Sequence, residues 1–290
     1  MNWKKLKYIV FRYGLKWLPD KWFVNFIRLL NAYRFRKEFY WLSDKSFFGQ
    51  INRIKFKYPD PEMILLADKS KMRERLFDLY GLTNFVKVIG IYNTIDDLLS
   101  ADLKYPCVIK MNRGSGMNIV LHSKDDLVSK QTLDSIRFWF EVDPFYFSRE
   151  SHYSIMSPCL VVEEYLGDCL HDYKVFCFDG KPKFIQVDTD RFIGHKRAFY
   201  DLDWKLMELG MLYPIPMTEI TAPLVLNKMV ETASLIAKTF RFIRVDFYVQ
   251  HEKLLIGECT FFPEGGMGLF DNKAQDEQIG AFFDHNLVIE

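Results

Sequence analysis

Residues 242–264, FIRVDFYVQHEKLLIGECTFFPE, constrain the fold of this 290-residue chain more than any other stretch. Two runs rich in β-branched and aromatic residues flank a polar turn, Gln250 to Lys253, and read as a pair of adjacent strands. Asp246 sits in the first run and Glu258 in the second. A carboxylate inside an apolar strand is costly unless its charge is compensated. A shared cation is an inexpensive solution, and oxygen-only ligands with little room suit Mg²⁺ carrying a nucleotide phosphate. The geometry carries a parity condition. An even connecting loop puts the two acids on opposite faces, whereas an odd loop or a β-bulge sets them side by side. Two strand acids can equally face solvent, and the pair alone does not choose.

Half the chain is apolar (49%) and aromatics reach 17%, so a substantial core is available and disorder is not expected. The length allows one large domain or two modest ones. A net charge of +1 gives no bulk electrostatic reason for nucleic acid as a partner. That sum hides an asymmetry, because residues 1–40 hold ten Lys or Arg and only two acids, Asp20 and Glu38. The five cysteines form no CxxC pair, and all but Cys169 lie in or beside apolar runs. They read as reduced thiols of a cytoplasmic protein, not as a zinc site. No apolar run reaches the ~18 residues of a membrane span. Arg and Lys interrupt the N-terminus too often for a cleavable signal peptide.

Along the chain, residues 2–17 place Trp3, Leu6, Val10, Tyr13 and Trp17 on one helical stripe, and Pro19 ends it. Asp20 can cap a second helix over 21–31, with Trp22, Phe23, Phe26, Ile27 and Leu30 on one side. These aromatic faces either pack on the protein or lie on an anionic membrane surface. Residues 61–80 read as a short apolar run followed by a helix beginning near Asp68. Residues 105–121 read as strands YPCVIK and NIVLH around a polar turn. Ser123 with Asp126 makes a capping-box pattern. Residues 141–157 give no assignable pattern. LVVEEYL (160–166) is a strand, VFCF-DG-KPKFIQV is a hairpin turning at Asp179-Gly180, and 223–240 is a helix. Strands, hairpins and single helices alternate, so the class is α+β with largely antiparallel sheets.

Several residues carry chemistry. Lys110 ends a buried strand, where a lysine must be paired or face a cleft. The turn Asn112-Arg113-Gly114-Ser115-Gly116 offers backbone N–H groups to an anion, although it is not a Walker A loop. Lys69 follows Asp68 at an expected helix start, where an anion can bind. Glu163 and Glu164 end a strand whose backbone can meet a purine edge. Lys174 lies mid-strand among apolar residues. Arg244 shares a strand face with Asp246, and Thr260 shares one with Glu258.

In this order, ADKSKMRERL, YPCVIKMNRGSGMNIV, VVEEYLGD, HDYKVFCFDGKPKFIQVDTDR, FIRVDFY and GECTFFPEGG resemble an ATP-grasp enzyme. They are most similar to the TupA-like family of surface-polysaccharide (teichuronopeptide) biosynthesis. The resemblance covers about 61–270. It implies an ATP-grasp fold, two α+β subdomains holding ATP between antiparallel sheets, after a basic helical N-terminal segment. The boundaries expected are 1–58 for that segment and 59–290 for the ATP-grasp domain, split into 59–166 and 167–290. It implies phosphate contacts from Lys69 and Lys110, with Lys110 also near the adenine, and a mobile loop of Asn112, Arg113, Gly114, Ser115 and Gly116. Glu163, Glu164, Tyr165 and Leu166 would form the adenine hinge, and Asp172 or Asp168 would bind the ribose. Lys174 would hold phosphate and Arg244 would face the reacting phosphoryl group. Asp246 and Glu258 would ligate Mg²⁺. The last strand departs from the usual Glu-x-Asn by reading Glu258-Cys259-Thr260, which weakens Thr260 as a ligand.

The implied activity is an ATP- and Mg²⁺-dependent carboxylate–amine ligase that works through an acyl phosphate. Its substrates would be a sugar acid, or another capsule or cell-wall precursor, and an amine or amino acid. The acceptor falls to Asp188, Asp190, Arg191, Lys196 and Arg197, beside His195, where a base can bind a uronic-acid carboxylate. A solvated charged loop is the plain alternative. Asp188-Thr189-Asp190 also mimics a DxD motif, so a glycosyltransferase of the same pathway is the rival, with a small-molecule kinase on the same fold and a non-catalytic assembly protein behind it. No nucleic acid is expected as a partner. The expected location is the cytoplasm, with peripheral contact on the inner membrane surface through residues 1–40.

Overall fold

The computed structural model describes residues 3–57, 59–168, 170–189 and 194–284. The chain divides into two compact units, Met1–Trp17 with Pro59–Gly167, and Leu18–Tyr58 with Asp168–Glu290. The basic N-terminal stretch is therefore shared out between them. All strand pairings among the described residues are antiparallel.

The first unit is built on four strands, β1 (Val88–Tyr92), β2 (Cys107–Met111), β3 (Asn118–Leu121) and β4 (Leu160–Glu164), in the order β1-β4-β2-β3. Alternation in CVIKM decides its faces. Cys107, Ile109 and Met111 join Leu121, Leu160, Val162, Ile136 and Trp139 in the core. Val108 and Lys110 share the other face with Val161 and Glu163 through the β2–β4 register. The capping box forms as expected: Ser123 and Asp126 cap the helix Lys124–Val128.

Residues 61–80 differ from expectation. The apolar run is itself a helix, Pro61–Ala67, because Asp60 accepts from the N–H groups of Glu62 and Met63 and Pro61 suits the first turn. The next helix begins at Met72, not near Asp68, whose side chain holds a turn by accepting from Ser70. In 141–157 two single-turn helices form, Phe145–Ser148 and His152–Ile155. Arg113 donates to the carbonyls of Val142, Tyr153 and Met156, so distant guanidinium bonds set a shape that no local periodicity announces.

The N-terminal helix Trp3–Ile9 runs into a π-helical turn, Val10–Gly14, which shifts its faces. Tyr8 and Phe11 are buried beside Phe147, while Val10, Tyr13 and Trp17 of the expected stripe are exposed.

The second unit has five strands, β5 (Asp172–Phe178), β6 (Lys181–Thr189), β7 (Lys196–Asp201), β8 (Phe242–Gln250) and β9 (Lys253–Thr260), in the order β7-β6-β5-β8-β9. Asp179 and Gly180 take the positive φ values (47° and 77°) of a two-residue hairpin turn, as expected. One sheet face, with Val175, Cys177, Ile185, Ile243 and Val245, packs under the helix Leu226–Ala237. The other face is divided. At the hairpin end Phe176, Phe178 and Phe242 pack round Phe47 of the helix Phe47–Lys55. Toward the far end, Lys174, Gln186, Asp188, Asp246 and Glu258 take over that face. The helix Asp20–Phe35 starts at Asp20, with Pro19 before it, and buries Phe23, Val24, Arg28 and Ala32; of the expected side Phe23 is buried and Ile27 half-buried, while Trp22, Phe26 and Leu30 are exposed. Arg28 decides this, donating to the carbonyl of Gly268 near Asp276.

Candidate active site

The parity condition on Asp246 and Glu258 is met by a bulge. β8 and β9 are joined through His251 and Glu252, a two-residue turn with Gln250 opposite Lys253. That even loop alone would separate the acids. Instead Phe247 pairs with Ile256 while Asp246 pairs with Glu258, so Gly257 is the extra residue. A Cβ on Gly257 would stand 2.8 Å from the Tyr248 ring, so any other residue there must displace that ring.

Around the pair the second unit assembles a charge network. Arg244 chelates Asp246 through Nε (2.7 Å) and Nη2 (2.6 Å) and also donates to Thr260 Oγ1 (3.1 Å). Lys174 reaches Asp246 (2.8 Å) and Asp172 (2.5 Å). Burial raises the Asp246 carboxyl above its ordinary value despite the pull of Arg244 and Lys174. Burial also opposes the charge on Arg244, but Asp246 outweighs it and raises the guanidinium. Three acids (Asp172, Asp246, Glu258) therefore meet two bases, and added positive charge would relieve the site.

Asp246 and Glu258 are the carboxylates that would hold a nucleotide-borne Mg²⁺, and both oxygens of Asp246 are at present engaged by Arg244 and Lys174. Among the described residues no three His, Cys, Asp or Glu side chains converge as a cage. Mg²⁺ commonly takes only one or two carboxylates and fills its remaining positions with phosphate oxygens and water. Asp246 and Glu258 supply that number. Thr260, expected among the metal ligands, accepts from Arg244.

The first unit gathers bases. Lys69 Nζ donates to the Gly114 carbonyl (3.3 Å), and its N–H to that of Asn112 (3.2 Å). Lys110 and Arg73 both pair with Glu163, which is 2% exposed. Arg73 also donates to the carbonyls of Lys69 (2.7 Å) and Val86 (3.2 Å). Sequence reasoning passed over Arg73, although its spacing of four from Lys69 was a helical-neighbour signal. Two bases here meet Glu163, and Lys69 lies beside the glycine loop next to the buried Asp68, so three bases stand with two buried acids, a setting for polyphosphate.

In the glycine loop the expected contacts divide. Asn112 is turned inward, donating to Asp68 and Ser157 and accepting from Cys159. Arg113 is buried on the carbonyls of the 142–156 segment. Gly114 is buried against Pro144, while Ser115 and Gly116 are exposed. A cavity of about 380 Å³ opens beside Gly116 on the β3 edge and reaches none of the other nucleotide or metal candidates. Of the hinge residues, Glu164 is exposed and Tyr165 and Leu166 are half-buried. Asp168 is exposed, and Asp172 is buried on Lys174.

At the expected acceptor site Arg197 is buried. It donates Nε (2.7 Å) and Nη2 (3.1 Å) to Asp188 and Nη1 (3.0 Å) to Glu264, and lies 4.8 Å from the Tyr213 ring. With all three nitrogens engaged it serves as a brace and not as an open carboxylate receptor. Burial would raise Asp188, but Arg197 and His195 hold it well below the ordinary carboxylate range. Asp188 so held is no exposed DxD ligand. His195 stacks on Tyr213 at 3.7 Å with Nε2 3.2 Å from Asp188. Lys196 is half-buried; Asp190 and Arg191 lie outside the described residues, as does Cys169. Cys107, Cys159, Cys177 and Cys259 are free, buried thiols.

A model of the TupA-like ATP-grasp proteins matches residues 49–284. The chain belongs to the TupA-like ATP-grasp family. No curated protein matches it. Among solved structures it is similar to D-alanine–D-alanine ligase from Bacillus anthracis (19% identity, 76% of this chain and 64% of that one, TM-score 0.44). It is also similar to carboxyaminoimidazole ribonucleotide synthase from Aspergillus clavatus, solved with ATP (12%, 69% and 46%, TM-score 0.43). A third is the ATP-grasp ligase PsnB with its minimal precursor, Mg and ADP (14%, 77% and 55%, TM-score 0.38). This chain thus spans under two thirds of each of these relatives' lengths.

Proposed function

We propose that the protein is an ATP- and Mg²⁺-dependent carboxylate–amine ligase of capsular or cell-wall polysaccharide biosynthesis. It would join an amino acid or other amine to a sugar acid. The observation that carries this reading is the bulge that sets Asp246 opposite Glu258, with Lys174 and Arg244 already on Asp246.

In this reading Asp246 and Glu258 hold Mg²⁺, which when bound neutralises triphosphate charge. Lys69, Lys110 and Arg73 bind phosphate oxygens, and the backbone around Ser115 and Gly116 closes over them. The hinge at Glu163 to Leu166 takes the adenine, and Asp172 or Asp168 the ribose. Once Asp246 no longer needs them, Arg244 and Lys174 are free to turn to the transferred phosphoryl group. The substrate carboxylate oxygen bonds to the γ-phosphorus as the bond to ADP breaks, giving an acyl phosphate. The amine then bonds to the acyl carbon, phosphate leaves, and the amine proton passes to solvent or base. Arg197 orients Asp188 and His195 beside the acceptor, with Lys196, Asp190 and Arg191 completing that region. The same reading places the chain in the cytoplasm, touching the inner membrane face through residues 1–40.

The test is a screen of sugar acids and amino acids for ADP and phosphate release. Release that needs both substrates, with an amide product, supports the ligase. A phosphorylated product from one substrate makes it a kinase, and UDP-sugar turnover without ATP makes it a glycosyltransferase.

A further inference from the structure

In each unit, aromatic side chains of the N-terminal stretch are exposed. In the second unit the helix Asp20–Phe35 is held down by Phe23, Val24, Arg28 and Ala32. On its other side Trp22, Phe26, Leu29, Leu30 and Tyr33 fall within an arc of ~100°. All five are exposed, Trp22 at 60% and Tyr33 at 89%, and no charged residue stands among them. Trp41 extends the patch, edge-on to Trp22 at 6.1 Å. In the first unit, Tyr13 and Trp17 are exposed too, with Lys16 over the Trp17 ring at 4.7 Å and Arg12 over Tyr13 at 5.3 Å. Helix-face side chains of this size are normally spent on packing, and a continuous exposed set marks an interaction surface.

We propose that this surface seats on an anionic lipid bilayer, with Trp22, Phe26, Leu29 and Tyr33 entering the headgroup boundary. Charge selects the occupant. Besides the buried Arg28, residues 18–41 carry four Lys or Arg, Lys21, Arg34, Arg36 and Lys37, against two acids, Asp20 and Glu38. A second copy docked face to face would oppose two net-basic segments, whereas phospholipid headgroups of negative charge complement them. The side-chain chemistry agrees, since Trp and Tyr combine an apolar body with a polar edge and settle at the membrane–water boundary. No described helix is long and apolar enough to cross a membrane, so this one lies along the surface. The inference gives a surface to the peripheral contact proposed above and does not depend on the ligase chemistry.

The full-length protein is sedimented with vesicles of phosphatidylglycerol and phosphatidylcholine in equal parts, and with phosphatidylcholine alone. The protein should co-sediment with the anionic vesicles, its tryptophan emission should shift to the blue, and salt should weaken the binding. Trp22→Ser/Leu29→Ser/Tyr33→Ser should lose at least about tenfold in affinity with an unchanged circular dichroism spectrum. Lys16→Glu/Arg34→Glu should lose the preference for anionic vesicles. Wild-type protein left in the supernatant would overturn the proposal, as would a serine variant that binds equally well. A lipid-free dimer that the serine variant dissolves would assign the face to a second copy. Vesicle binding by a protein without Mg-ATP turnover would refute the ligase reading and leave this one standing.

Discussion

In the first unit three bases, Lys69, Arg73 and Lys110, stand with two buried acids, Glu163, which pairs with Arg73 and Lys110, and Asp68 beside Lys69. In the second, three acids, Asp172, Asp246 and Glu258, meet two bases, Lys174 and Arg244. The excess is positive in one unit and negative in the other. An anion is welcome in the first and a cation in the second. The contrast extends to architecture. The positive cluster rests on a helix, a strand and a glycine loop, while the negative one is fixed by strand register.

The sharpest way to break this comparison is to remove the acids. Asp246→Asn or Glu258→Gln should lower turnover on the order of 10²–10³-fold or more with the fold intact by circular dichroism. Full activity in both would end the metal assignment. A buried acid outside the cluster provides the next test. Burial pushes the Asp276 carboxyl up to about 6, against the pull of Arg28. Its unfolded value is about 3.9. Between those values the folded state keeps a proton that the unfolded state has lost. Stability from this group is therefore full below about pH 4 and lost as pH rises through about 6, roughly 3 kcal/mol in all. Urea midpoints across that window should fall with rising pH in the wild type and be flatter in Asp276→Asn. Equal slopes would refute this. In the first unit, Lys110→Ala should weaken ATP binding by roughly 1.5–3 kcal/mol, about tenfold or more. Arg73→Met should do less, with Arg73→Lys recovering part. Calorimetric ATP affinities that do not move would remove both from the nucleotide site. The smallest effect is Gly257→Ala, which should cost about 1–3 kcal/mol as the Tyr248 ring gives way, seen in thermal melting.

Much of the fold was legible because it is written in short-range patterns. The Asp179-Gly180 hairpin, the Ser123 capping box and the alternation of CVIKM each depend on neighbours within a few positions. At the N-terminus the sequence left two fates open for the aromatic faces, and most of each face is exposed because a buried arginine, Arg28, helps choose the docked side of the second helix. In the loop after β2, Asn112 and Arg113 looked like anion contacts, yet their partners lie about 30 to 47 residues away along the chain. Arg197 was read as open for the same reason, since Glu264 is 67 residues distant.

By itself the sequence determined the two strands carrying Asp246 and Glu258, a polar turn between them and the α+β class, because alternation and turn chemistry are local. Only the tertiary structure decided that the acids are neighbours. The turn alone gives the wrong parity, and the correction comes from one unpaired glycine whose place in the ladder is set by pairing across strands. It likewise decided which charges meet, since an ion pair depends on where the backbone brings its partners.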